Sequence, residues 1–150
     1  MRATHRSTRP FEILIIEDNP GDVRLIQEAF KETGLPHRLN IVENGEQGLQ
    51  FLRRQGKKYV NAPRPDLILL DLNMSHLDGR ETLREIKSDR HLRSVPVVIL
   101  TGSSHDRDIF QAYDLQANSY IVKPSDVDEF IETIKSVELY WFYTVKHFLK

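Results

Sequence analysis

The sequence contains no cysteine, and this absence removes several classes of site at once. Disulfide frameworks, catalytic thiols and zinc-thiolate centres all need that residue. At 150 residues, the chain is nevertheless long enough to bury one hydrophobic core without disulfides or a structural metal. We therefore expect a single folded domain, and the lack of cysteine agrees with a reducing, cytoplasmic location.

The sequence also lacks a long hydrophobic run and an excess of charge of either sign. No apolar stretch approaches the roughly 20 residues of a membrane span, so no membrane association is expected. The 21 basic and 22 acidic residues leave a net charge of −1, which argues against direct DNA binding. Residues 1–10 are basic and polar without the apolar segment of a signal peptide, and we interpret them as a disordered arm.

What the sequence does contain is a regular alternation of strand and helix patterns. Short apolar runs are separated by segments whose apolar residues recur at helical spacing. Strands this apolar are typical of a parallel sheet that helices cover on both faces. The runs are FEILII (11–16), RLNIV (38–42), DLILL (66–70), VPVVIL (95–100) and SYIV (119–122). Five βα units predict an α/β domain with a doubly wound parallel sheet.

Polar residues follow the carboxyl ends of four of these strands. Glu17 and Asp18 follow the first strand, Asp71 the third, Thr101 the fourth and Lys123 the fifth. Because the carboxyl ends of parallel strands share one edge of the sheet, these side chains are expected to converge on one pocket.

The residue types at this edge indicate metal-assisted phosphoryl chemistry. Three clustered carboxylates repel one another and would bind protons unless a cation holds them together. Oxygen ligands without nearby His or Cys favour Mg²⁺ or Mn²⁺. A carboxylate is also a covalent nucleophile towards phosphoryl groups, and phosphoryl transfer needs positioning and charge neutralisation. A metal, a lysine and a hydroxyl around one carboxylate therefore fit an aspartyl-phosphate site.

Two other functions are compatible with this architecture but fit the residues less well. A flavodoxin-like FMN carrier needs a phosphate loop rich in hydroxyls and glycine after the first strand, where this chain has the acidic EDNPGD (17–22). A metal-dependent phosphatase with an Asp nucleophile needs a second acid two residues later, and position 73 is Asn.

The chain resembles the receiver domains of two-component response regulators. The motifs that carry the resemblance are IIEDNP (15–20), LLDLNMSHLDG (69–79), VVILTGS (97–103) and SYIVKP (119–124). The resemblance implies a flavodoxin-like (βα)5 fold with strand order 2-1-3-4-5 and an extended C-terminal helix. It divides the chain into an arm (1–10), a receiver domain (11–136) and a C-terminal extension (137–150).

The resemblance also implies roles for the acidic residues and for one backbone carbonyl. Asp71 would be the phosphoacceptor. Mg²⁺ or Mn²⁺ would be held by Asp18, Asp71 and the backbone carbonyl of Asn73, with Glu17 acting through metal-bound water. The family usually has proline at position 75, and this chain has Ser75, which removes no ligand.

The remaining implied roles concern the phosphoryl group and the response to it. Thr101 and Lys123 would contact the phosphoryl oxygens, and Thr101 and Tyr120 would form the switch. Lys123 and Pro124 would be joined by a cis peptide bond. This complete set of residues argues against a degenerate receiver that acts only as a binding module.

The function implied is that of a phosphoacceptor signalling protein rather than an enzyme with a separate substrate. It would take a phosphoryl group from a sensor histidine kinase, catalyse its own phosphorylation and slow dephosphorylation, and bind an unknown downstream protein through a changed surface. The long loop before the third strand, LQANSYIVKPS (115–125) and LYWF (139–142) resemble regulators that serve phytochrome-type histidine kinases.

The C-terminal segment carries more aromatic residues than one small domain is expected to bury. Exposed aromatic clusters are typical of protein interfaces, and a homodimer is the simplest partner for this one. We predict an interface after about position 137 formed by Tyr140, Trp141, Phe142, Tyr143 and Phe148.

Overall fold

The structure is a computed structural model that describes residues 10–72, 79–102, 114 and 116–148, with the side chains of the last helix described as far as residue 144. Three predictions fall outside the described residues: the carbonyl of Asn73, the side chain of Phe148 and the arm before position 10. No helix in the described ranges is both long and apolar enough to cross a membrane.

Five parallel strands form one sheet in the order β2-β1-β3-β4-β5, as predicted. The strands are β1 (Phe11–Ile16), β2 (His37–Val42), β3 (Leu67–Asp71), β4 (Val97–Thr101) and β5 (Ser119–Val122). The fourth strand begins two residues later than its apolar run, because Val95 donates its N–H to a turn carbonyl of Leu92 at 3.0 Å. Pro96 has no N–H to donate.

The described helices lie between the strands and after the last one. They are α1 (Pro20–Thr33), α2 (Gly45–Arg53), α3 (Gly56–Tyr59), α4 (Gly79–Ser88) and α5 (Val127–Phe148). Asn19 caps α1, since its Oδ1 accepts the N–H groups of Gly21 and Asp22 at 2.9 and 3.1 Å. Gly34 ends α1 with a left-handed φ of 71°, which glycine adopts without strain.

Alternate residues of the central strands enter two hydrophobic clusters, one on each face of the sheet. Leu14, Ile68 and Ile99 belong to the cluster that includes residues of α2 and α4. The cluster on the other face includes Ile13, Leu69 and Val98, which pack with residues of α1 and α5. Because both of their faces are buried, β3 and β4 are apolar up to their last residues, Asp71 and Thr101.

The last helix continues through position 137 without a break, so the predicted extension is part of α5. Phe142 is 8% exposed and packs edge to face against Phe11, with ring centroids 5.7 Å apart. The prediction that Phe142 belongs to a dimer interface is therefore wrong: helical periodicity returns it to the buried face of Phe130 and Ile134.

The aromatic residues on either side of Phe142 differ in exposure. Trp141 is half-buried against the core, whereas Tyr140 and Tyr143 are 63% and 57% exposed. The two tyrosines are thus the part of the predicted interface that is accessible within the described side chains.

Candidate functional site

The structure brings the predicted polar residues together at the carboxyl edge of the sheet. Asp71 is the last residue of β3 and is 5% exposed. Thr101, the last residue of β4, and Glu17, the residue after β1, are also buried. β1 and β4 flank β3, so Glu17 and Thr101 lie on either side of Asp71.

Three carboxylates at this edge could bind one metal ion. Glu17, Asp18 and Asp71 each offer an oxygen atom, and these atoms all lie within 4.8 Å of one another. Glu17 and Asp71 are buried while Asp18 is exposed, so the cluster opens to solvent on the Asp18 side. A set of hard oxygen donors with no nitrogen or sulfur fits Mg²⁺ or Mn²⁺.

The pKa of Glu17 shows that its charged form is disfavoured at this edge of the sheet. Burial, together with a hydrogen bond and charge repulsion from Asp71, raises the pKa of Glu17 to about 8. Its Oε2 accepts the N–H of Asn19 at 3.2 Å, and its Oε1 accepts from Lys123 at 3.0 Å. Glu17 thus favours holding a proton, which a divalent cation would displace.

Lys123 is the cation of the described site and faces three acids. Its Nζ lies 2.6 Å from Asp22, 3.0 Å from Glu17 and 3.6 Å from Asp71. Burial alone would lower the pKa of Lys123, but the hydrogen bond to Asp22 and the charges of Glu17 and Asp71 outweigh it and raise the pKa. One ammonium group therefore holds two acids of the cluster and one acid outside it.

Asp22 is a site residue that sequence reasoning missed. It lies in the first turn of α1, and its Oδ2 forms the shortest contact of Lys123. Acidic residues in a first helical turn are common because they interact with the helix dipole, so the position of Asp22 gave no specific signal. Its contact partner is 101 positions away in the chain.

The predicted cis peptide bond between Lys123 and Pro124 is wrong, since the described residues contain no cis peptide bond. The trans form is the default, favoured by about 0.5–1 kcal/mol before proline. The N–H of Lys123 donates to the carbonyl of Thr101 at 2.7 Å, which ties the end of β5 to β4.

Gly79 permits the backbone to return to Asp71 at the start of α4. A Cβ atom at this position would lie 2.4 Å from the Asp71 carbonyl oxygen and 2.5 Å from Leu72 Cα. The N–H of Gly79 donates to the Leu72 carbonyl at 3.1 Å. Only glycine allows so close an approach of backbone to backbone beside the candidate phosphoacceptor.

Tyr120 lies in β5, beside the strand that ends in Thr101. Its Cα pairs with that of Ile99, and its half-buried ring packs against the core cluster on the α2 and α4 side. It therefore lies in the strand next to the one that ends in the buried Thr101.

Comparison with known proteins agrees with the family resemblance of the sequence motifs. A family model described as the response regulator receiver domain matches residues 13–135. The response regulator Rcp1 of Synechocystis sp. is 41% identical over 139 residues, which cover 93% of this chain and 94% of that protein.

Solved structures agree in fold. The phosphorylated cyanobacterial phytochrome response regulator RcpA is 45% identical, with a TM-score of 0.87 over 91% of this chain and 96% of that one. The Mn²⁺-bound form of Rcp1 is 41% identical, with a TM-score of 0.84 over 88% of this chain and 94% of that one.

Proposed function

The chain belongs to the response regulator receiver family, and on that premise we propose that Asp71 accepts a phosphoryl group from a sensor histidine kinase in a Mg²⁺-dependent reaction. The observation that carries the proposal is the arrangement of Asp71 between Glu17, Asp18 and Lys123 at the carboxyl edge of the sheet. Its relatives include phytochrome response regulators, and we extend the proposal to a phytochrome-type kinase and a cytoplasmic location.

In the proposed reaction, the Asp71 carboxylate attacks the phosphorus atom of a phosphohistidine. A bond forms between a carboxylate oxygen and phosphorus, and the bond between phosphorus and the histidine nitrogen breaks, with its electron pair going to the imidazole. Lys123 Nζ, 3.6 Å from Asp71 Oδ2, is close enough to shift towards the transferred oxygens, and the Thr101 hydroxyl is the second candidate donor.

Glu17, Asp18 and Asp71 are the residues that would hold Mg²⁺ or Mn²⁺, and the Asn73 carbonyl stays a predicted ligand. When bound, the metal would supply neutralisation of the charge that accumulates among the carboxylates and the incoming phosphoryl group. The raised pKa of Glu17 supports this role, because burial and the neighbouring Asp71 disfavour the carboxylate form more than Lys123 favours it, and a bound cation would stabilise that form.

The signalling output is proposed to pass through Thr101 and Tyr120. Once Asp71 carries the phosphoryl group, the Thr101 hydroxyl turns towards it and Tyr120 follows into the space vacated. The surface around β5 then shifts between two states and changes the affinity for an unknown downstream protein. Slow hydrolysis of the acyl phosphate returns the protein to its first state.

A homodimer through the outer face of α5 is the second part of the proposal. Tyr140 and Tyr143 are more than half exposed and flank the half-buried Trp141, which makes an aromatic surface on a helix anchored in the core. We expect Tyr140→Ser with Tyr143→Ser to shift a dimer to monomer in light scattering at tens of micromolar. Val60→Ser removes a similarly exposed apolar side chain elsewhere, and an equal effect there would contradict the interface.

The phosphoacceptor proposal is tested by intact mass after incubation with acetyl phosphate and Mg²⁺. The native chain should gain about 80 Da, the mass of one phosphoryl group, and Asp71→Asn should gain nothing. Asp128→Asn, a matched change at an exposed position of α5, should label like the native chain. Labelling of Asp71→Asn at the native level would remove Asp71 from its role.

A further inference from the structure

The charge of this protein is divided unevenly along the chain. Residues 53–65 and 87–94 contain eight Lys and Arg against Asp89 alone, a formal charge of +7 in a chain whose net charge is −1. We call these two segments the basic end. Its cations are Arg53, Arg54, Lys57, Lys58, Arg64, Lys87, Arg90 and Arg93.

The two segments of the basic end form one surface at the amino edge of the sheet. They precede β3 and β4, and Arg64 joins them by donating to the His91 carbonyl at 2.7 Å and to Ser94 Oγ at 3.1 Å. Asp71 lies at the other end of the five-residue β3, about 15 Å away along the strand. A molecule bound at the basic end would therefore leave the phosphoacceptor accessible.

Within the described residues, most cations of the basic end have no acidic partner. Arg53 pairs with Glu85 at 3.0 Å and with Asp89 at 3.5 Å, and within the described residues the other seven form no ion pair. Arg54 instead donates to the Ala62 carbonyl at 2.8 Å, and Lys87 donates to the carbonyls of Arg93 and Val95. Neutral acceptors position these side chains without cancelling their charge.

A cleft in this surface combines guanidinium groups with apolar contacts. It has a volume of about 370 Å³, and three arginines and one acid line it together with apolar residues. The lining includes Arg53, Arg54, Arg64 and Asp89 beside Leu52, Pro65 and Leu92. Guanidinium groups are planar forks that match carboxylates, and their apolar neighbours suit an aliphatic side chain. The cleft thus has the chemistry to accept an acidic segment that also contains apolar residues.

We propose that the basic end is a docking surface for an acidic segment of a partner protein, independent of the phosphorylation of Asp71. Concavity and the apolar lining favour a peptide over duplex DNA or a lipid surface, since phosphate-backbone binding depends on charge spread along an extended face. The partner would bind while the kinase engages the opposite edge of the sheet.

The test measures fluorescence anisotropy of a fluorescein-labelled peptide of glutamates with interspersed leucines, titrated with the full chain. Two charge reversals are compared: Arg54→Glu with Arg64→Glu in the cleft, and Lys57→Glu with Lys58→Glu at exposed positions of α3, which form no ion pair with any described residue. The control reversal is Arg24→Glu with Lys31→Glu, at exposed positions of α1. Circular dichroism verifies that each variant is folded.

We expect salt-dependent binding that weakens by about tenfold or more in both basic-end variants and by less than about twofold in the control. Phosphorylated and unphosphorylated chains should bind equally. Equal weakening in the control, or the absence of salt-dependent binding, would overturn the proposal. Tighter binding to duplex DNA or to phosphatidylserine vesicles, lost in the same variants, would overturn it in favour of those surfaces.

Discussion

The two edges of this sheet carry opposite charges in opposite settings. At the carboxyl edge, Glu17 and Asp71 are buried and Lys123 contacts both of them and Asp22. At the amino edge, the cations are mostly exposed, and seven of the eight have no ion pair among the described residues. The carboxyl edge thus holds its charges in fixed positions, as a reaction site requires, while the amino edge leaves its charges available to a partner.

Burial explains why the loss of one charged side chain should reduce the stability of the fold more at the carboxyl edge than at the amino edge. A buried charge needs a nearby opposite charge or a hydrogen bond, so each side chain at the carboxyl edge depends on the others. Exposed cations are solvated and cost little, so those at the amino edge can be replaced one at a time. Removing a single cation from each edge measures this contrast directly.

The largest expected effect is that of Lys123→Met, compared with Arg54→Met. Loss of Lys123 leaves buried carboxylates without their cation and should lower the free energy of unfolding by about 3 kcal/mol in metal-free buffer. Loss of the exposed Arg54 should cost less than about 1 kcal/mol. Urea denaturation measures the free energy of unfolding of both variants. Equal losses of stability would contradict the proposed difference between the two edges.

Glu138 is a fully buried acid of α5 that belongs to neither edge of the sheet, and it therefore provides a third case of a charged group to compare with the two edges. Its Oε1 accepts from the Thr33 hydroxyl at 2.6 Å, and its Oε2 lies 3.6 Å from His37 Nδ1 without a hydrogen bond. Burial raises the pKa of Glu138 to about 7, against the partial offset of the Thr33 hydrogen bond.

The sign of the resulting pH dependence follows from the raised pKa of Glu138. Between the ordinary carboxyl pKa of 4.5 and about 7, the folded state binds more protons than the unfolded state, so stability falls as pH rises through this window. Relative to Glu138→Gln, the native chain should lose up to about 3 kcal/mol between pH 4.5 and 7.5. Urea denaturation across that range measures the difference, and parallel pH profiles would contradict a buried neutral Glu138.

The smallest expected effect is that of Asp22→Asn on metal binding. Without Asp22, the charge of Lys123 falls wholly on Glu17 and Asp71 and opposes the metal cation, so Mg²⁺ affinity should fall by about two- to fivefold. Asp18→Asn removes a proposed direct ligand and should lower the affinity by about tenfold or more. Calorimetric titration ranks the two variants, and the reverse order would exchange their roles.

The fold was predictable because its strands are apolar on both faces and end in polar residues. The first strand was predicted at its exact bounds, and convergence of Glu17, Asp71, Thr101 and Lys123 followed from parallel topology alone. Four features were not predicted from the sequence: the contact of Asp22 with Lys123, the trans peptide bond before Pro124, the burial of Phe142 and the burial of Glu138. The contacts of Asp22 with Lys123, of Glu138 with Thr33 and of Phe142 with Phe11 join side chains distant in sequence, which local patterns do not encode. The trans bond is the local default, and the family resemblance had predicted against it.

The most direct test of the central claim is to map the phosphorylated residue. After reaction with acetyl phosphate and Mg²⁺, borohydride reduces an acyl phosphate of aspartate to homoserine, and peptide mass spectrometry locates the product. We predict homoserine at Asp71 alone, and none when the divalent metal is removed by a chelator. Homoserine at Asp18, modification that is equal without metal, or no modification of the native chain would contradict the assignment of Asp71 as the phosphoacceptor.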